Sequence, residues 1–128
     1  MISIDVQPHP PAMPADQAGL IAEIFAALGD PTRARIVFAL TRGEYSVNAL
    51  AEMAGVSASA VSHHLARLRS IRLVRSRRSG NQVFYTVDDE HVSRLFYEVM
   101  HHLDHIRRNL PAPNEALLDE MSDVEENR

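Results

Sequence analysis

The spacing of apolar residues changes twice along this chain, and these changes limit the folds that it can adopt. Up to Ser70, apolar residues recur every three or four positions, as in amphipathic helices. From Leu73 to Val87 the pattern is that of two short β-strands, and helical spacing then returns until about Arg107. A chain of 128 residues suits one domain. The sequence therefore predicts a mainly α-helical domain with a β-hairpin, an α+β fold.

Capping residues divide the first part of the chain into four helices. Asp30 followed by Pro31 favours a helix N-terminus. Ser46 is expected to cap the third helix, and Ser57 or Ser59 the fourth. The third and fourth helices are short, and a glycine-containing turn joins them. Together they predict a helix-turn-helix pair.

The hairpin that follows has a basic tip. Gly80 and Asn81 supply the turn between its strands, and Arg77 and Arg78 come just before it. A helix-turn-helix followed by such a hairpin describes a winged helix-turn-helix. Asp88 or Asp89 is expected to begin a last long helix.

The charge is distributed unevenly. The formal net charge is −4 at pH 7, yet no acidic residue lies between Gly55 and Val87. That stretch contains six arginines: Arg67, Arg69, Arg72, Arg75, Arg77 and Arg78. Because a local basic surface matters more for phosphate binding than the sum over the chain, the sequence predicts binding to double-stranded DNA.

The fourth helix is expected to enter the major groove, where side chains can contact base edges. Its first residues are small or polar, which allows a close approach to DNA. The wing would bring its arginines to the flanking backbone or the minor groove. The candidate DNA-binding residues are Ser57, Ser59, Ser62, His63, Arg67, Arg77 and Arg78.

The last helix carries several residues of types that bind metals, and their spacing places them on one face of the helix. At 100° per residue, His102 lies within about 20° of His91 around the helix, and His105 lies about 40° to the other side. Asp89 stands at the helix start. Along the axis, however, His91 and His102 are about 16 Å apart, so one ion cannot bridge them within one chain.

Two antiparallel copies of this helix would remove that difficulty. With a twofold axis near Tyr97, Asp89 and His91 of one chain would meet His102 and His105 of the other, and a homodimer would hold two equivalent sites. Three imidazoles and a carboxylate suit Zn(II), and Ni(II) or Co(II) are open alternatives. A nickel or cobalt sensor would use the same four residues plus extra ligands such as His9.

The segments around this domain are less informative. Residues 1–16 are rich in proline and are expected to form a flexible arm, residues 17–107 the DNA-binding and dimerisation domain, and residues 108–128 an acidic, disordered tail. One more short helix over residues 115–121 is an open alternative. No apolar run is long enough for a membrane span, and the N-terminus lacks the pattern of a signal peptide. We expect a cytoplasmic protein.

Other functional classes fit less well. Four protein ligands around zinc leave no open position for water, unlike a catalytic zinc site, and neither a phosphate loop nor a nucleophile elbow is present. We therefore expect no enzyme. A metal buffer that binds DNA incidentally remains an alternative, and it predicts no operator preference.

Three sequence segments carry a family resemblance. They are Ala27–Arg33 (ALGDPTR), Val61–Leu65 (VSHHL) and the pattern Asp89-x-His91-x10-His102-x2-His105. Over about residues 17 to 107 the chain resembles the ArsR/SmtB family of metal-sensing repressors. The last pattern resembles the site of the zinc-sensing branch, whose ligands come from the C-terminal helices of both protomers. The resemblance implies that the metal-free dimer binds an operator palindrome and that metal releases it.

The thiolate sites of that family have no counterpart here. Residues 44–50 occupy the region where the family's Cys-Val-Cys type sequence lies, and the chain contains no cysteine. Sensing of arsenite, cadmium or lead through thiolates is therefore not expected.

Overall fold

The computed structural model describes residues 6–109. Their elements, in chain order, are α1 (Ala15–Leu28), α2 (Pro31–Leu40), α3 (Val47–Ala54), α4 (Ala58–Ser70), β1 (Val74–Ser79), β2 (Gln82–Val87) and α5 (Glu90–Asn109). This order confirms the predicted α+β winged helix-turn-helix. The proposed helix at residues 115–121 and nearly all of the acidic tail lie outside the described residues.

The predicted N-caps of α2, α3 and α4 are confirmed, whereas the cap of α5 by Asp88 or Asp89 stays a prediction. The Asp30 carboxylate accepts a hydrogen bond from the backbone N–H of Arg33 at 2.9 Å, and Pro31 is the first residue of α2. Ser46 caps α3 through its hydroxyl in the same way. The cap of α4 is Ser57, whose hydroxyl accepts a hydrogen bond from the backbone N–H of Ala60 at 3.0 Å. Each cap satisfies a backbone donor that the first helical turn leaves unpaired.

Two arginines of α2 bind the C-terminal ends of other helices. Arg33 donates a hydrogen bond from Nε to the carbonyl oxygen of Ala27 at 2.6 Å, near the end of α1. Arg35 donates to the carbonyl oxygen of Met53 at 3.2 Å, near the end of α3. A cation at this position satisfies carbonyls that lack intrahelical partners and complements the helix dipole. These arginines therefore help to fix α1 and α3 around α2.

The core of the DNA-binding unit lies among α2, α3, α4 and the start of β1. Its largest fully buried side chains are Ile36, Val37, Leu40, Leu50, Val61, Leu65, Leu68 and Val74. The tight turn between α3 and α4 depends on Gly55, whose φ of +67° is a left-handed conformation that glycine adopts without strain. The core and the turn together fix the inner face of α4 and leave its other face to solvent.

The wing is an antiparallel hairpin in which Val74 pairs with Val87 and Ser79 with Gln82. The loop between α2 and α3 adds one more pair of backbone hydrogen bonds to this hairpin. Tyr45 donates its backbone N–H to the carbonyl oxygen of Tyr85 at 3.0 Å, and Tyr85 donates back to Tyr45 at 2.9 Å. The middle of β2 is thus joined by backbone hydrogen bonds to the segment that precedes α3.

Among the described residues, a second unit consists of residues 91–109, the part of α5 from His91 onward. Several large apolar side chains of α5 are exposed in the single chain: Tyr97, Val99, Met100, Leu103 and Ile106. In the first unit, Leu20 and Phe25 of α1 are similarly exposed. Among residues 6–109, no helix is long and apolar enough to cross a membrane.

We predict that Asp30→Ala lowers the free energy of unfolding by about 1 kcal/mol, because the first turn of α2 loses its cap. Asp30→Asn is the matched control, since an asparagine keeps a cap oxygen and is expected to stay close to the wild type at pH 7. Denaturant unfolding at one fixed protein concentration measures both variants.

We also predict that the difference in stability between the wild type and Asp30→Asn depends on pH. The hydrogen bond from the backbone N–H of Arg33 lowers the pKa of Asp30 below its ordinary value. A lowered pKa contributes stability above the ordinary value, about 4, and that contribution disappears as the pH falls through the folded-state pKa. The wild type should therefore lose stability relative to Asp30→Asn below about pH 4. An unchanged difference between neutral and acid pH would contradict this account of the cap.

Candidate functional site

One face of α4 carries most of the predicted DNA contacts. Ser59, Ser62, His63 and Arg67 are all exposed, whereas Val61, Leu65 and Leu68 of the same helix are buried. Ser57, also exposed, lies just before α4 and uses a hydroxyl lone pair for the cap. The helix therefore presents small, polar and cationic side chains to solvent from a rigid, capped N-terminus.

The two neighbouring histidines of α4 differ in environment. His63 is exposed, whereas His64 is half-buried. The Nδ1 atom of His64 is buried and has no hydrogen-bond partner among the residues that the structure describes. The sequence predicted that one of the two would face the groove, and His63 is the one in a position to do so.

The wing holds three exposed arginines, Arg75, Arg77 and Arg78, and their surroundings differ. Arg77 forms an ion pair with Glu44, with Nη2 at 2.6 Å from Oε2 and Nε at 3.0 Å from the same oxygen. The Arg77 guanidinium carbon also lies 5.4 Å from the centre of the Phe84 ring. Sequence reasoning missed Glu44 as a partner, because it precedes Arg77 by 33 positions and no local pattern links them.

This ion pair shifts the pKa of both side chains. The hydrogen bonds from Arg77 lower the pKa of Glu44, and Arg75 makes a smaller contribution in the same direction. In turn, the Glu44 carboxylate raises the pKa of Arg77. Both groups are therefore charged at neutral pH, and the positive charge of Arg77 is largely balanced within the protein.

The predicted metal ligands belong to one helix and the residue before its start. His91, His102 and His105 are exposed on α5, and Asp89 is exposed just before it. Because α5 is one continuous helix, its rise keeps His91 and His102 about 16 Å apart. Within residues 6–109 of one chain, no three His, Cys, Asp or Glu side chains come together to hold a metal. A site built from these four residues therefore needs a second chain.

Other polar residues of α5 have partners within the helix. The His101 ring lies 4.2 Å from the ring of Tyr97. Asp104 forms an ion pair with Arg108, which is four residues further along. Both residues were left out of the predicted ligand set, and these contacts give each of them another local role.

His105 has a neighbour that sequence reasoning missed. The side-chain amide nitrogen of Asn109 lies 3.0 Å from Nδ1 of His105, and the same nitrogen donates to the His105 carbonyl oxygen at 2.9 Å. The spacing of four residues on a helix was the available signal. Because an amide N–H donates only to an unprotonated Nδ1, the proton of a neutral ring is then on Nε2, and metal binding by His105 requires this contact to change.

Comparison with known proteins agrees with this architecture. Residues 30–76 match the model of the bacterial regulatory protein, arsR family. The chain is 41% identical over 107 residues to the HTH-type transcriptional regulator KmtR of Mycobacterium tuberculosis, covering 84% of this chain and 82% of that one. It is 50% identical over 97 residues to a transcriptional repressor SmtB homolog of Synechocystis sp., covering 76% and 74%.

A solved structure shows the same fold. The homodimeric winged helix-turn-helix DNA-binding domain Mb0332 of Mycobacterium bovis superposes with a TM-score of 0.70 at 32% identity, covering 76% of this chain and 91% of that one. The similar curated proteins are transcriptional regulators rather than enzymes. With its helix-turn-helix, its wing and this degree of identity to known regulators, the chain belongs to the arsR family of bacterial regulatory proteins.

Proposed function

We propose that this protein is a metal-responsive transcriptional repressor that binds operator DNA as a homodimer and releases it when Zn(II) or a similar divalent ion binds. The phased ligand set of α5 carries the proposal. Three exposed histidines share one helix face next to Asp89, yet they are too far apart to serve one ion within a chain. These residues can therefore bind one ion together only when two chains associate.

The exposed apolar side chains of the single chain support a dimer. Phe25 of α1 is 58% exposed, and Tyr97 of α5 is 57% exposed. Side chains of this size gain about 25 cal/mol for each Å² removed from water, so a second copy is the simplest partner to cover them. The similar Mb0332 domain is itself homodimeric.

In this dimer, Asp89 and His91 of one protomer would bind a metal together with the partner's His102 and the partner's His105. Twofold symmetry then gives two equivalent sites per dimer. Imidazole and carboxylate donors at four positions suit tetrahedral Zn(II).

The DNA-binding surface would be the exposed face of α4 together with the wing. Ser59, Ser62 and His63 are suited to base edges and nearby phosphates in the major groove. The positive charge of Arg67 and Arg78 favours the phosphate backbone, and Arg77 belongs to the same surface, where Glu44 balances its charge. Ser57 fixes the start of α4 through its cap and is close enough to that face to contact a phosphate as well.

Metal and DNA would be coupled through the geometry of the dimer. A metal that links the two α5 helices fixes the angle between protomers, and the two α4 helices then no longer match successive major grooves. Linkage requires that DNA weaken metal binding by the same factor. Histidine protonation competes with metal, so the response should weaken at acid pH.

A nickel or cobalt sensor is the alternative that keeps the same four residues. His9 lies exposed before α1 and is a candidate extra ligand for six-coordination. The visible absorption of the Co(II)-loaded protein distinguishes four-coordinate from six-coordinate binding.

We predict that His102→Ala abolishes the metal response while leaving operator affinity without metal near the wild-type value. In the wild type, metal should weaken operator binding by about 5- to 150-fold, the usual range of allosteric coupling. His101→Ala is the matched control, because His101 is adjacent in sequence but stacks on Tyr97. Fluorescence anisotropy of a labelled operator measures both affinities. If metal releases His102→Ala as it releases the wild type, this site is not the sensor.

We also predict that Arg67→Gln weakens DNA binding and makes it less dependent on salt. Losing one phosphate contact per protomer, two per dimer, should lower the slope of log K against log salt concentration by about 1.8. Arg107→Gln is the control, since Arg107 is an exposed arginine of α5, outside the helix-turn-helix and the wing. A slope that is unchanged in Arg67→Gln would remove Arg67 from the phosphate contacts.

A further inference from the structure

The ion pair between Glu44 and Arg77 joins two distant parts of the DNA-binding unit. Glu44 lies in the loop before α3, and Arg77 lies on β1 of the wing. The guanidinium approaches the carboxylate with two nitrogens: Nη2 is 2.6 Å from Oε2, and Nε is 3.2 Å from Oε1 and 3.0 Å from Oε2. This two-nitrogen geometry is stronger and more directional than a single charge contact.

Two further contacts stand beside this pair. The backbone of Tyr45, the residue after Glu44, pairs with Tyr85 of β2 through two hydrogen bonds. Phe84, which is opposite Arg77 in the hairpin register, places its half-buried ring under the guanidinium. The Arg77 side chain is thus held by a carboxylate and an aromatic ring close to the tip of the wing.

Arg78 differs from Arg77 in its contacts within the protein. Successive side chains of a strand point to opposite faces, so Arg77 and Arg78 face opposite ways. Within residues 6–109, Arg78 has neither an ion-pair nor a hydrogen-bond partner, and its side chain is exposed. Of these two wing-tip arginines, Arg78 is therefore the one whose positive charge is not balanced inside the protein.

We propose that Arg77 is a positioning residue that fixes the wing through Glu44, and that Arg78 makes the wing's phosphate contact. This inference rests on the DNA binding proposed above and refines the role of one residue in that surface. The ion pair engages Nε and Nη2 of Arg77 and leaves Nη1 outside it, but a phosphate bound at Nη1 would stand beside the negatively charged Glu44 carboxylate. Turning the whole guanidinium to a phosphate would cost the charged hydrogen bonds to Glu44, whereas Arg78 carries neither cost.

A charge-neutral double variant, Glu44→Gln with Arg77→Gln, provides the test. We expect the salt slope of operator binding to equal that of the wild type, because no phosphate contact is lost. Affinity should fall by a roughly salt-independent three- to tenfold factor, as the wing becomes less ordered. Arg78→Gln is the matched control and should lower the slope by about 1.8 per dimer. A drop of about 1.8 in the double variant would overturn the proposal.

A swapped pair, Glu44→Arg with Arg77→Glu, gives a second measurement. It restores an ion pair across the same gap, so operator affinity should recover to within about twofold of the wild type. Amide hydrogen exchange at Tyr45 and Tyr85 should accelerate in the double glutamine variant and slow again in the swapped pair. If the swapped pair binds DNA more weakly than the double glutamine variant, Arg77 itself contacts the DNA and the proposal is wrong.

Operator binding by the wild-type protein distinguishes a failure of this inference from a failure of the proposed function. Absence of specific operator binding by the wild-type protein would contradict the proposed function itself. Normal wild-type binding and a normal Arg78→Gln effect, together with a reduced slope in the double glutamine variant, would contradict only the role assigned to Arg77. Thermal unfolding of each variant confirms that the compared proteins are folded.

Discussion

The rise of an α-helix sets the distance between His91 and His102, and the function proposed for this chain depends on that distance. Over one uninterrupted helix, α5, the two residues share a face but lie about 16 Å apart. A metal ion with ligands about 2 Å away cannot span this gap, so the ligands can be used together only across two chains. In the proposed dimer, metal binding would constrain the arrangement of the two protomers, which would set the spacing of the two DNA-binding helices.

The DNA-binding unit is built to hold α4 rigidly. Buried residues such as Leu65 and Leu68 fix its inner face, Ser57 caps its start, and Arg35 joins α2 to the end of α3. A rigid reading helix matters for the proposed mechanism, because a change of angle between protomers affects DNA binding only when each helix moves with its protomer. The pair of Glu44 and Arg77 extends the same rigidity to the wing.

Much of this could be predicted from sequence because the signals are local. Asp30 before Pro31, Ser57 before α4 and the helical phase of His91 and His102 each depend on short-range geometry, and the caps and helices are confirmed. The ion pair between Glu44 and Arg77 could not be predicted, since the fold brings together residues 33 positions apart. The ligand assignment stays a prediction, because it concerns contacts between two chains.

The most direct test of the central claim is a complementation experiment with two variants that each lack half of the ligands. Asp89→Ala/His91→Ala and His102→Ala/His105→Ala should each bind Co(II) weakly as homodimers. Mixed after partial unfolding and refolding, they should form heterodimers that contain one intact site, with the absorption of the wild-type Co(II) complex. Recovery of one tight site per heterodimer is the result expected for ligands shared between protomers. No recovery in a mixture shown to contain heterodimers would contradict the account.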